Sequence, residues 1–156
     1  MGTEIERKFL VVGDGWRESA VSETRYRQGY LSSQANASVR VRVGAGRAFL
    51  NVKSAHLGIR RHEFEYEIPL ADAEEMLASL AERPCIDKVR YRVPQGPHIW
   101  EVDVFEGANA GLVVAEVELQ SEEERFEVPN WAGEEVSHDP RYLNVNLVHH
   151  PFRDWR

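Results

Sequence analysis

Glu4-Ile5-Glu6-Arg7-Lys8-Phe9-Leu10-Val11 alternates: Glu4, Glu6 and Lys8 fall on one parity, and Ile5, Phe9 and Val11 on the other. Successive side chains of a strand point to opposite faces, so two carboxylates and an ammonium share one face and apolar residues share the other. In a single strand this is the ordinary pattern of a half-solvated sheet. It decides the fold only if the same charged face recurs down the chain.

It recurs. Beyond the first strand, Gly13-Asp14-Gly15 reads as a turn and 16–22 as a short helical turn. Period-two patterning predicts strands at 25–31, 38–43, 48–53, 61–68, 86–93, 98–105 and 112–119. Gln28 and Tyr30 share a face in the second; Gly44-Ala45-Gly46 is a hairpin turn, and Pro69 ends the fifth. Between 71 and 81 the period becomes helical, with Ala73, Met76, Leu77 and Leu80 on one stripe and Asp72, Glu74 and Glu75 near the N-terminus, where the helix dipole favours them. Ser121 followed by Glu124 predicts a capped helical turn at 121–125, and 141–149 reads as a C-terminal helix carrying Leu143, Leu147 and Val148. The expectation is eight strands and two main helices in one domain spanning 1–156.

The chain has 156 residues, 42% hydrophobic and 29% charged, which fits a globular domain with its own core. A net charge of −7 argues against a nucleic-acid binder working by bulk attraction. No apolar run approaches the ~20 residues of a membrane span, and Glu4 and Glu6 interrupt any secretory leader, so a cytoplasmic protein with no membrane partner is expected. Cys85 is a lone thiol that staples nothing and reads as a small strand-end residue.

Collected along the strands, the polar faces carry nine acids (Glu4, Glu6, Glu63, Glu65, Glu67, Glu101, Asp103, Glu116, Glu118) and eight bases (Lys8, Arg40, Arg42, Lys53, Arg61, Lys88, Arg90, Arg92). Two architectures accommodate them. In one, these are the solvated faces of a sheet or sandwich with ions paired across strands. In the other, eight strands close into a barrel with the charged face inside, which is costly unless the lumen holds ions or polyanions. Two details favour closure. Arginine doublets suit phosphate oxygens, and the acid doublets Glu4/Glu6 and Glu116/Glu118 lie on the first and last predicted strands, where closure would gather four carboxylates around a divalent cation. The remaining polar residues read blandly. His149-His150 point about 100° apart on a helix, and His56, His62, His98 and His138 have no convergent spacing. Trp100, Tyr91 and Phe64 lie on the apolar parity and are expected in the core.

The Glu4-x-Glu6-x-Lys8 signature resembles that of the CYTH superfamily, the triphosphate tunnel metalloenzymes. So do Gln28-Gly29-Tyr30-Leu31, Val39-Arg40-Val41-Arg42, Lys53, Arg61-x-Glu63-x-Glu65, Lys88-x-Arg90-Tyr91, Trp100 to Phe105, Ala115 to Leu119 and Glu135 to Asn144, in the same order across essentially the whole chain. Asn51 departs from the threonine expected before the lysine. The resemblance implies an α+β fold: a closed eight-stranded antiparallel β-barrel with flanking helices and a C-terminal helix. It implies that Lys8, Arg40, Arg42, Lys53, Arg61, Lys88 and Arg90 hold a triphosphate. It implies that Glu4, Glu6, Glu116 and Glu118 hold Mg²⁺ or Mn²⁺, with Glu63, Glu65 and Asp103 as further ligands or acceptors behind them. Lys8, Tyr30 and Glu6 would be the catalytic residues. The expected activity is metal-dependent hydrolysis of inorganic tripolyphosphate, since the short chain leaves little room for nucleoside recognition. An adenylate cyclase, a thiamine triphosphatase and a non-catalytic polyphosphate-binding module are the alternatives. The expected partner is a triphosphate-containing small molecule, with a homodimer compatible and no nucleic acid.

Overall fold

The computed structural model describes residues 2–34, 36–54 and 58–155, so His56 lies outside the described residues. The strands form one antiparallel sheet in the order β5-β4-β3-β2-β6-β7-β8-β1-β9, and an additional β1–β5 pairing closes it into a barrel. The wall consists of β1 (Thr3–Val11), β2 (Ser22–Ser33), β3 (Ala37–Gly44), β4 (Arg47–Ser54), β5 (Arg60–Ile68), β6 (Ile86–Gln95), β7 (His98–Glu106) and β8 (Val113–Glu118). The eight expected strands are all present. A ninth, β9 (Ala132–Glu135), was not legible, because Ala-Gly-Glu-Glu is too short to show a period.

β1 changes neighbours along its length. Thr3–Ile5 pair with β5, whereas Phe9 and Val11 pair with β9. On its other edge, residues 6–10 of β1 pair with β8, setting Glu6 opposite Glu118 and Lys8 opposite Glu116. The two acid doublets are therefore neighbours across one strand pair. The β3–β4 connection is a two-residue turn in which Ala45 and Gly46 both have positive φ (54° and 75°), matching the right-handed strand twist.

Two apolar clusters lie outside the wall. Helix α1 (Leu70–Ser79) buries Ala73 and Leu77 against Val41 and Ala48 of β3 and β4. On the opposite flank, Phe9, Trp16, Trp100 and Trp131 pack with Val93, Val102, Ala115 and Val117. The third cluster is inside. Leu10, Tyr30, Ile86, Phe105 and Val114 share the strand parity of the charged residues, but toward one end of the barrel that parity turns apolar. There it meets Tyr142, Leu147 and Val148 from the C-terminal segment. That segment is a 3-10 turn (Pro140–Tyr142) and a short helix α2 (Asn144–His149), rather than one helix over 141–149. Leu143 between them is extended (φ −67°, ψ 131°).

Three further expectations are corrected. Phe64 is 46% exposed, because no helix covers the outer face of β5 there. Residues 121–125 form a turn, with the Glu124 carboxylate accepting from the Gln120 backbone N–H. Arg92 and Glu67 are exposed, and Glu67 pairs with Arg47 at 2.9 Å away from the lumen lining. No described helix is long and apolar enough to cross a membrane.

Gly29 on β2 shows how tightly α1 is seated. A Cβ there would stand 2.8 Å from Ala81 Cβ and 2.9 Å from Leu77 Cδ2. Gly29→Ala is expected to push α1 outward and cost about 1–3 kcal/mol, read as a lower midpoint in urea with an unchanged slope.

Candidate active site

The charged face of the strands surrounds a cavity of about 260 Å³. Its wall carries seven acids (Glu4, Glu6, Glu63, Glu65, Glu101, Glu116, Glu118) and seven bases (Lys8, Arg40, Arg42, Lys53, Arg61, Lys88, Arg90). Tyr26, Tyr30, Ser38, Leu143, Asn144 and Val145 complete it. The volume falls below the ~300–1,000 Å³ of drug-sized ligand pockets, so the lumen suits a compact polyanion.

Most of the bases have carboxylate partners. Lys8 Nζ lies 3.4 Å from Glu116 and donates to the Tyr142 carbonyl at 2.9 Å. Lys53 lies 3.2 Å from Glu4 and 3.7 Å from Glu63, and Arg61 lies 3.4 Å from Glu4 and 3.8 Å from Glu6. Arg90 reaches Glu101 at 3.2 Å and Glu116 at 3.3 Å. Asn51, in place of the expected threonine, donates to Glu63 at 3.0 Å and so keeps a hydrogen-bonding role.

Asp103 stands behind the bases. It does not line the cavity. Its Oδ1 accepts from Arg90 Nε at 2.8 Å, and its Oδ2 accepts from Arg90 at 2.9 Å and from Lys88 at 2.8 Å. With both oxygens taken by cations and only 1% of its side chain exposed, it is an anchor behind the bases, not an open ligand. Burial would raise its pKa, but Arg90 and Lys88 hold it well below the usual carboxylate range. Burial lowers the Lys88 ammonium to about 7, against the pull of Asp103.

Two arginines of the lumen wall have no carboxylate within salt-bridge distance among the described residues. Arg40 is 6% exposed, and its buried Nε has no hydrogen-bond partner. Arg42 donates only to Gln28, at 3.1 Å, and lies over the Tyr26 ring at 4.5 Å. Burial, then Arg40 and Arg90, lowers Arg42 to about 10. Burying unpaired guanidinium is expensive, so this end of the lumen is made for an anion.

The opposite wall has the reverse problem. Burial, Glu116 and Glu4 raise Glu6 to about 8, and burial followed by Glu4, Glu101 and Glu63 raises Glu118. Glu116 goes the other way, to about 2: burial works against ionisation, but Lys8 and Arg90 outweigh it. Glu6 faces Glu118 and Glu101 faces Glu116 across strand pairs, an all-oxygen set that fits a hard divalent cation. As they stand, the acids turn to the bases, and no three described His, Cys, Asp or Glu side chains converge on one point at ligand distance.

Sequence reasoning gave no role to Tyr26 or Asn144 on the wall. Tyr26 stacks on Arg42, and Asn144 enters from the C-terminal segment. An uncharged side chain leaves no mark on a charge pattern. The histidines do not gather: His98 pairs with Glu124 at 2.6 Å, and His149 sits 3.1 Å from Ser33 Oγ.

A closed antiparallel barrel with arginines lacking carboxylate partners on one wall and crowded carboxylates on the other defines a class of protein, the polyanion-binding tunnel. The chain belongs to the CYTH domain family, whose model matches residues 2–150. It is 48% identical over 156 residues to an inorganic triphosphatase of Acetivibrio thermocellus, covering 100% of this chain and 99% of that one. It is 37% identical over 151 residues to an inorganic triphosphatase of Nitrosomonas europaea, covering 94% and 97%. A solved inorganic triphosphatase superposes with a TM-score of 0.67 at 34% identity over 95% of each chain. A Hippeastrum protein, described as a putative adenylyl cyclase with a dominant triphosphatase activity, shares the fold. Its TM-score is 0.60 at 18% identity, over 76% of this chain and 80% of that one.

Proposed function

We propose that this chain hydrolyses inorganic tripolyphosphate and releases orthophosphate, using a divalent cation. The observation that carries the reading is the pair Arg40, buried, and Arg42, half-buried, on the lumen wall without a carboxylate partner among the described residues. The inorganic triphosphatases of 48% and 37% identity support it. Phosphoryl transfer asks a protein mainly for charge neutralisation and in-line positioning, and the lumen is a fixed array of charges.

Arg40, Arg42, Lys53, Arg61, Lys88 and Arg90 would hold the phosphate chain. Glu4, Glu6, Glu116 and Glu118 would hold one or two Mg²⁺ or Mn²⁺ ions, with Glu63 and Glu65 beside them. What such an ion supplies is neutralisation of phosphate charge and alignment of the attacking and leaving oxygens. Lys8, fixed between Glu116 and the Tyr142 carbonyl, would stand beside the reacting phosphate. Tyr30, buried on the same wall and opposite Arg40 in register, would orient the attacking water with Lys8. Asp103 holds Lys88 and Arg90 from behind.

The test is phosphate release with Mg²⁺ or Mn²⁺ from tripolyphosphate, ATP and thiamine triphosphate side by side, with cyclic AMP assayed in the ATP reaction. Tripolyphosphate is expected to be turned over far faster than the other two. Cyclic AMP as the main product would replace this reading with a cyclase.

Arg40→Ala removes a charge-assisted contact worth about 1.5–3 kcal/mol, so KM for tripolyphosphate should rise about 10–100-fold with a smaller change in kcat. Its thermal midpoint should not fall, because a buried unpaired charge is lost with it. An unchanged KM would remove Arg40 from the phosphate site. Added Mg²⁺ at a hundredfold excess over its Kd should stabilise the protein by about 2.7 kcal/mol, or roughly 5–10 °C in calorimetry, and EDTA should reverse the rise.

A further inference from the structure

Two neutral amides connect the C-terminal helix to the bases of the tunnel. Arg42 Nε donates to Gln28 Oε1 at 3.1 Å, and Gln28 Nε2 donates to Asn144 Oδ1 at 3.0 Å. The same Asn144 oxygen accepts from Lys88 Nζ at 3.0 Å. Arginine and lysine can only donate, so the polarity of this relay has one solution. Gln28 must turn its oxygen to Arg42 and its nitrogen to Asn144, and Asn144 must then present its oxygen. Gln28 is fully buried, so no solvent competes for its amide.

Such a relay restricts what it touches. An ammonium has three N–H groups. Lys88 donates to Asp103 at 2.8 Å and to Asn144, which fixes the direction in which the third can point. In Arg42, the bond to Nε pins the plane of the guanidinium and leaves its terminal nitrogens without a carboxylate partner. Asn144 is the first residue of α2, and its side chain lies on the cavity wall.

We propose that Asn144 is a positioning residue: through one carbonyl oxygen, the C-terminal helix sets the aim of Lys88 directly and of Arg42 through Gln28, and so sets the affinity for tripolyphosphate. This rests on the reading of the lumen as a triphosphate site. The helix is thereby part of the binding site.

The test compares Asn144→Ala, Gln28→Met, their double variant and Asn146→Ala. Asn146 is on the same helix, but its amide donates to the Pro140 carbonyl at 2.8 Å, so its loss loosens the helix without touching the relay. With tripolyphosphate and Mg²⁺, Asn144→Ala and Gln28→Met should each raise KM about tenfold with kcat within about threefold of wild type. The double variant should be little worse than either single one, because both break the same relay. Asn146→Ala should leave KM unchanged. A KM unmoved by Asn144→Ala, an equal rise in Asn146→Ala, or single effects that multiply to about a hundredfold would each overturn the proposal. Should the wild type release no phosphate, the triphosphatase reading falls by itself. The relay is then read from the rise in thermal midpoint on adding tripolyphosphate in EDTA. Protection of wild type well above that of Asn144→Ala upholds it, and equal protection or none overturns it.

Discussion

Glu6→Ala should lose metal-dependent phosphate release from tripolyphosphate by on the order of 10³-fold, equivalent to about 4 kcal/mol of transition-state stabilisation, while folding as well as wild type or better. The two halves of this result have one cause. Glu6 faces Glu118 in register, and its pKa is raised to about 8 by burial and by the charges of Glu116 and Glu4. Its only salt bridge among the described residues is a long one, 3.8 Å to Arg61. In the metal-free protein, burial and the charges of Glu116 and Glu4 therefore disfavour the ionised carboxyl, and deleting it removes that cost. With a cation bound, the same carboxyl would serve as a ligand in the proposed site. Activity and thermal midpoint measured on one preparation check both halves. Retention of turnover in Glu6→Ala would sink the metal assignment, and a large fall in midpoint would show that Glu6 supports the fold instead.

Asp103→Ala should be the most damaging single change to stability, by about 3–5 kcal/mol. It leaves Lys88 and the inner edge of Arg90 buried without their anion. Denaturant unfolding in EDTA measures it directly. Because Asp103 is held below its ordinary range, the stability it contributes is complete above about 3.8, the unfolded value, and is lost as pH falls below that. The variant should accordingly lose less stability than wild type on acidification through that range. Added Mg²⁺ should raise the midpoints of wild type and variant alike. A stability deficit present only with Mg²⁺ would return Asp103 to the metal ligands.

Period-two patterning located all eight wall strands and placed the charged positions from Glu4 to Glu118 on one face, because alternation is a local property of the chain. It could not show that the face curls inward, since a solvated sheet has the same pattern, and the family resemblance supplied that step. Nor could it separate Asp103 from Glu101 and Glu116. All three sit on the lumen parity, and only the packing of Lys88 and Arg90 beside Asp103 sets it apart. Phe64 misled because apolar parity says which face a residue is on, not whether anything covers that face. The Gln28–Asn144 contact joins residues 116 apart, and no local period records it.

The partner change along β1 also bears on how the site comes into being. Glu6 and Lys8 meet Glu118 and Glu116 only through the pairing of the first strand with the eighth, and Lys8 is then locked by Ser137, whose Oγ accepts from its backbone N–H at 2.9 Å. These are among the longest sequence separations in the molecule, and contacts of that kind form late and slowly. A nascent chain that has emerged only as far as β7 carries Arg40, Arg42, Lys88 and Arg90 but none of the facing carboxylates of β8. It can attract phosphate, but it cannot yet assemble the paired acid doublets that would hold a metal. The acid doublets proposed to hold the metal are thus withheld until β8 is made.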